Sequence, residues 1–477
     1  METRQVDVAI IGAGTAGLNA RRAVEREGGR PLLIESGPYG TTCARVGCMP
    51  SKLVIAAADV AHEIDGAARF GIRVPEYEVD GSAVMDRVRS ERDRFAGGVV
   101  RDTEALPEEQ RLRGHARFTG PTSLLVDNRV EVKARAVIIA AGSSPHIPPP
   151  FEGIRDRILT NDDVFELERL PSTLAVVGTG IIGLELGQAL HRLGVDVTFF
   201  SNADTLGPVT DPEVQRVMRD TLGKELKLNM SATVEEAIAD PSGVWLRWRN
   251  ADGGEQEEQF EKVLVATGRR PNLDGLELER TGAKLDDHGR PEWDPTTTQL
   301  GDLPIFMAGD ASGHIPLLHE AADEGRIAGE NAMRYPEVSA HRRRTPLGIA
   351  FTDPQIAMVG KRYDQLDLGA VEIGQASFDN QGRARVIGQN RGLLRVYADK
   401  ECCSLIGAEM FTPRAEHMAH LLAWAVDQRM RVTRSLQMPF YHPVLEEGLR
   451  SALRELVKKL RVTGECRCED MAMAPGA

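Results

Sequence analysis

Two nearly continuous apolar runs, each followed at once by a glycine turn and an amphipathic segment, frame the chain. Residues 6–11 form the first run, the mark of a strand buried on both faces in a parallel sheet. Gly12-Ala13-Gly14-Thr15-Ala16-Gly17 follows, residues 16–27 carry a helical pattern, and residues 31–34 read as a second strand ending in Glu35. The unit then recurs: a strand over 174–177, the turn Gly178-Thr179-Gly180-Ile181-Ile182-Gly183, a helix over 184–193 and a strand over 195–200. Glu35 lies 23 residues after Gly12, and the same 23 residues from Gly178 lead to Ser201. In this context the glycines permit a tight turn, close approach of a pyrophosphate and helix–strand packing. The helix N-terminus holds the phosphates, and the acid accepts hydrogen bonds from a ribose. Two such units predict two dinucleotides, one bound tightly and one exchanging.

Later segments extend the pattern. Buried-strand runs over 137–142 and 263–268 close the two halves, ending in Gly142 and Gly268, the latter followed by Arg269. Residues 71–136 read as helical stretches and a β-meander, and the proline-rich stretch 143–152 as a stiff connector. Another strand over 305–310 ends in Asp310, with a helix over about 317–333 behind it. From about Thr345 the pattern changes to alternating strands and then helices. The expected architecture is α/β, two Rossmann-like dinucleotide-binding domains followed by a C-terminal α+β domain. The boundaries fall at 1–150, 151–273, a central domain at 274–344, the C-terminal domain at 345–463 and a tail at 464–477.

Composition adds exclusions. The 477 residues are 42% hydrophobic and 27% charged, ordinary for a globular enzyme of several domains. A formal net charge of −13 with no basic stripe among aromatics argues against a nucleic-acid partner. No run of 18 apolar residues suggests a membrane span, and the N-terminus has no secretory pattern, so a cytoplasmic location is expected.

The six cysteines fall into pairs, Cys43/Cys48, Cys402/Cys403 and Cys466/Cys468, none at zinc-site spacing, and no metal is expected. Cys43 and Cys48, with Lys52 four residues on, can close a disulfide if the segment bends into a helical turn. Helix amides and positive charge would then lower a thiol pKa and make a nucleophile or electron donor; the alternative is two buried structural cysteines. Near the end, His442 is followed by Glu446 and by Glu447 at i+5, a carboxylate able to orient the imidazole as a general acid–base for thiols. Ser201 leaves the second unit without the acid that selects NAD at the matching position; Asp204 comes three residues late, and no arginine follows until Arg216. The absence of cations favours NAD, with NADP as the alternative.

Taken together, Gly12–Gly17 with Glu35, Thr42-Cys43…Cys48-Met49-Pro50-Ser51-Lys52, Gly178–Gly183 with Glu185, residues 266–272, Ala308-Gly309-Asp310 and His442-Pro443…Glu447 resemble the FAD-dependent pyridine nucleotide–disulfide oxidoreductases. Within them the chain is most similar to the dihydrolipoamide dehydrogenases, over residues 5–460. The resemblance implies FAD across Gly12, Gly14, Gly17, Glu35, Thr42, Gly142 and Asp310, and NAD across Gly178, Gly180, Gly183, Ser201, Gly268 and Arg269. It implies that Cys48 is the thiol beside the flavin and Cys43 the one that exchanges with substrate, with Lys52 and Glu185 paired near the flavin edge. His442 and Glu447 would serve the disulfide of the other subunit of a homodimer whose dimerisation domain is the C-terminal one. Electrons would pass from dihydrolipoamide, which the lipoyl domain of a 2-oxo acid dehydrogenase complex would carry, through the cysteines and FAD to NAD, a role in cell redox homeostasis. Departures are Arg45 where the family commonly has Asn, Ser201, and the tail cysteines. Cys466 and Cys468 raise a second reading, an NAD(P)H-dependent disulfide or mercuric ion reductase with a C-terminal relay. Incidental thiols in the tail, and a packing role for Cys402/Cys403, are the plainer expectations.

Overall fold

The first apolar run is the end of strand Glu2–Ile11, whose last four residues are buried. It pairs in parallel with Pro31–Glu35 on one side and Val130–Ile139 on the other, and Ile305–Met307 extends the sheet beyond Val130–Ile139. The computed structural model describes residues 2–462, with side chains to residue 460. Strand alternation sends Val8 and Ile10 to one face and Ala9 and Ile11 to the other, each into its own apolar cluster. Helices Thr15–Arg26 and Leu318–Arg334 cover the Val8/Ile10 face. They cross so closely that a Cβ on Gly325 would lie 2.2 Å from the Ala16 carbonyl oxygen. The meander is Ala116–Gly120, Ser123–Val126 and the start of Val130–Ile139, all antiparallel.

The repeat builds a second parallel sheet in the order Lys227–Asn229, Asp196–Phe200, Thr173–Val177, Lys262–Val265. Helix Ile181–Arg192 lies against it and starts three residues earlier than its apolar pattern indicates, because the glycine turn itself supplies the first helical turn. An antiparallel sheet, Thr233–Asp240, Gly243–Arg249 and Glu255–Phe260, packs on the other side through Phe200, Trp248 and Phe260. Those rings meet edge to face, with centroids 4.8 Å and 5.9 Å from Phe200.

The proline-rich stretch 143–152 is more than a connector. Ser143–Pro145 pairs antiparallel with Arg269–Pro271, so the two chain crossings form one short ribbon. The C-terminal unit is a five-stranded antiparallel sheet, Leu347–Ala350, Gln355–Gly360, Leu405–Thr412, Leu393–Asp399 and Val371–Ser377 in spatial order. Helices Ala415–Asp427 and Glu447–Val462 pack on it. It is fastened to the second unit by buried charge: Asp211 accepts from Tyr397 Oη at 2.8 Å and Arg395 Nη1 at 2.7 Å, while Glu409 accepts from the backbone of Thr210 and Asp211. No helix among the described residues is long and apolar enough to cross a membrane.

Candidate functional site

Thr41 caps the short helix Thr42–Val46, which carries Cys43; Gly47 breaks it, and Cys48 opens the helix Cys48–Asp65. The two cysteines therefore face each other across one glycine, both as free thiols, with Cys48 in the first turn of an 18-residue helix. A hydrogen bond from Cys43 and the charge of Lys52 outweigh burial and hold the Cys48 thiol down to about 6. The same hydrogen bond and burial push Cys43 far up. The reduced pair is asymmetric: negative charge rests on Cys48 and the proton on Cys43.

Lys52 lies one helical turn beyond Cys48. Its ammonium donates to both oxygens of Glu185, at 2.8 Å and 3.0 Å, and sits 4.6 Å from the centroid of the Phe351 ring. The Glu185 side chain is 4% exposed and also accepts the Phe351 N–H at 2.8 Å. A carboxylate so buried needs these partners. The structure thus joins the first glycine unit, the second and the C-terminal sheet at one ion pair.

The glycine turns are bare. Gly12 and Gly178 share φ +110°, and a Cβ there would lie 2.2 Å and 2.4 Å from the carbonyl oxygens of Ala140 and Ala266. Gly17 and Gly183 press on the carbonyls of Gly12 and Gly178, whereas Gly14 and Gly180 face open space. The helices that follow carry neither a side-chain cap nor an acid in the first turn, which leaves their amides for an anion. Glu35 accepts from Ala13 N at 2.8 Å and Gly37 N at 2.7 Å, each oxygen keeping a lone pair for a ribose hydroxyl. Ser201 does nothing comparable: it is buried and its Oγ accepts Ala203 N–H at 3.2 Å. Gly142, at φ +70°, accepts Asn272 N–H, and Gly268, at φ +105°, accepts His146 N–H.

A hydrogen-bond chain that sequence reasoning missed ties Asp310 to the cysteine loop. Ser143 Oγ donates to Asp310 Oδ2 at 2.7 Å and accepts Arg269 Nε at 2.8 Å. Arg269 Nη1 donates to Asn161 Oδ1, and Asn161 Nδ2 to the Val46 carbonyl, between the two cysteines. Gly309 N–H donates to the buried Glu324, whose carboxyl is pushed up to about 7, chiefly by burial. Ser143, Asn161 and Phe351 carry no motif of their own; only the fold reveals them.

Glu447 opens the helix Glu447–Val462 and holds His442 Nδ1 at 3.0 Å and 3.1 Å from its two oxygens. Burial pushes the Glu447 carboxyl up, but the imidazole and the Val444 N–H outweigh it and keep it below its ordinary value. The imidazole itself is 81% exposed, and among the described residues no hydrogen bond joins it to Cys43, Cys48 or Lys52. Cys402 is exposed and Cys403 buried in the C-terminal core. Cys466 and Cys468 lie outside the described residues.

Residues 6–325 match the family described as pyridine nucleotide-disulphide oxidoreductase, and residues 347–453 match its dimerisation domain. The chain belongs to this family. Among relatives of this oxidoreductase, the dihydrolipoyl dehydrogenase of Bacillus subtilis is 31% identical over 94% of the chain and 97% of its own length. That of Thermus scotoductus is 31% identical over 95% and 98%. Among solved structures, LpdA of Mycobacterium tuberculosis superposes with a TM-score of 0.81 at 26% identity, over 95% of this chain and 99% of that one. The flavoprotein disulfide reductase RclA of Escherichia coli, at 21% identity and a TM-score of 0.80, shares the fold.

Proposed function

We propose that this oxidoreductase is a dihydrolipoyl dehydrogenase, using FAD and NAD. The observation that carries the reading is the asymmetry of the two thiols, supported by the histidine–carboxylate pair. A thiolate of the dihydrolipoyl substrate attacks Cys43 Sγ of the Cys43–Cys48 disulfide, and Cys48 departs as the thiolate its surroundings favour. The second substrate thiol, losing its proton to His442, closes the lipoyl disulfide and expels Cys43, which regains a proton. Two electrons have moved from substrate to protein. Glu447 fixes the imidazole for this proton transfer.

The bare glycine turns, the uncapped helices and Glu35 fit the dinucleotides, with Gly12, Gly14, Gly17, Glu35, Gly142 and Asp310 toward FAD and Gly178, Gly180, Gly183 and Gly268 toward NAD, while the Arg269 guanidinium is spent on Ser143 and Asn161. When bound, FAD supplies two-electron transfer between dithiol and nicotinamide chemistries that do not react directly. Lys52 and Glu185 hold a compensated charge pair beside the cysteines, and the Ser143–Arg269–Asn161 chain keeps Asp310 in register with their loop. We assign the dimerisation domain to a homodimer in which His442 serves the partner subunit's cysteines, which accounts for an oriented yet exposed imidazole. A lipoyl domain is the macromolecular substrate we infer. We infer a cytoplasmic enzyme, because a dithiol substrate is kept reduced in that compartment. An oriented proton carrier is of no use in reducing a metal ion, which disfavours the mercuric reading.

The test is the initial rate of NAD reduction by dihydrolipoamide on purified holoenzyme. Rapid NAD reduction is expected. No reduction of NAD or NADP, with NADH still oxidised by artificial acceptors, would overturn the substrate assignment.

A further inference from the structure

The two glycine units are wired differently at the one place where a ribose is read. In the first, the acid at the strand end, Glu35, reaches back to the second residue of the glycine turn through Ala13 N–H at 2.8 Å. In the second, the matching Ser201 is locked in the wall, its N–H donating to the Asn229 carbonyl and its carbonyl accepting the Ala232 N–H. The glycine turn is instead stitched to the segment beyond. Thr179 Oγ1 donates to the Thr205 carbonyl at 2.9 Å, and Gly207 N–H donates to the Thr179 carbonyl at 2.7 Å. This brings residues 202–206 alongside the turn and sets Asp204, 66% exposed, next to the stitched Thr205. Among the described residues Asp204 is held by one cation: Arg219 Nη1 lies 2.6 Å from its carboxylate and 3.0 Å from its carbonyl oxygen. Arg216, the other arginine of the helix Pro212–Leu222 that carries Arg219, is paired with Glu213 and Asp220.

We propose that Asp204, positioned by Arg219, is the residue that selects the unphosphorylated ribose of NAD in this chain, in place of the strand-end acid that Ser201 cannot supply. A carboxylate there accepts a ribose hydroxyl and repels a 2′-phosphate. Its grip on Arg219 removes the guanidinium that would otherwise form charge-assisted bonds to that phosphate. NADP is refused by occupation of the arginine as well as by repulsion. The inference rests on the dinucleotide half of the proposed function and not on its thiol half.

The test is calorimetric titration of holoenzyme with ADP-ribose and with 2′-phospho-ADP-ribose, neither of which can accept hydride. Wild type should prefer ADP-ribose by about a hundredfold, the equivalent of two good polar contacts. Asp204→Ala should bind ADP-ribose on the order of tenfold more weakly and the 2′-phosphate on the order of tenfold more tightly, and Asp204→Asn should move the same way. Adding Arg219→Ala should cancel the gain. The proposal falls if the Asp204 variants stay within about twofold of wild type for both ligands, or if wild type prefers the 2′-phosphate. Failure to bind either ligand sinks the dinucleotide reading as well. A failed dihydrolipoamide assay beside the expected titrations would overturn only the thiol substrate.

Discussion

At the scale of single residues the chemistry turns on where one proton sits. Because Cys43 donates to Cys48 and Lys52 lies a turn away, Cys48 titrates near 6 rather than 9. In the reduced enzyme, iodoacetamide should therefore alkylate Cys48 at a rate that is flat above pH 7 and falls about tenfold per unit well below 6, while Cys43 stays protected. Cys43→Ala should shift the midpoint of that profile upward, since the largest lowering interaction is lost; peptide mapping by mass spectrometry separates the site from the exposed Cys402. A Cys48 profile centred near 9 in the wild-type enzyme would remove the asymmetry on which the mechanism rests. Much of this was legible in the sequence because it is local: the spacing from Cys43 through Cys48 to Lys52 needs only two helical turns to bring thiols and cation together. Phe351 was illegible for the opposite reason. It meets Glu185 across 166 positions, through its backbone N–H, and any residue except proline could offer that donor. Ser201 shows a third case, where the sequence marks a missing acid and only the hydrogen bonds reveal that Asp204 lies close to the turn.

Among the elements, the strands and helices of the two repeats were readable within a few residues because burial on both faces leaves an unbroken apolar run. The ribbon of Ser143–Pro145 with Arg269–Pro271 was not, since three-residue strands rich in proline and arginine have no periodicity to detect. The crossing of helices Thr15–Arg26 and Leu318–Arg334 is likewise a tertiary fact with a faint local trace, the small residues Ala16, Ala20, Gly325 and Gly329. Gly325 sits where a Cβ would strike the Ala16 backbone, which cannot yield without moving the first glycine turn. Gly325→Val should cost about 1–3 kcal/mol by overpacking, lowering the melting temperature by several degrees, and should release flavin during purification. Gly14, whose Cβ position meets nothing, separates the two effects: Gly14→Ala should melt near the wild-type temperature yet hold flavin more weakly. A Gly325→Val enzyme with full flavin content and unchanged melting would show that the crossing is looser than its geometry implies.

For the whole molecule, the decisive fact is that one chain contains every part of the proposed centre but does not assemble it. Glu447 orients His442 at 3.0 Å, and yet the imidazole is 81% exposed and shares no hydrogen bond with the cysteines among the described residues. A group fixed in place on one surface and needed at another fits the proposed homodimer, whose two-fold symmetry would supply each cysteine pair with an imidazole from the opposite chain. His442→Gln alone should slow dihydrolipoamide oxidation by on the order of 10², and Cys48→Ser should abolish it. Coexpressed with separate tags, the two variants pair at random, and about half the dimers are mixed. In each mixed dimer one centre has lost both its Cys48 and the imidazole facing it, while the other is intact. The unfractionated mixture should therefore recover about a quarter of wild-type activity, and the purified mixed dimer about half. If His442 served its own chain, every centre in the mixed dimer would carry one lesion, and activity would stay at the level of the single variants.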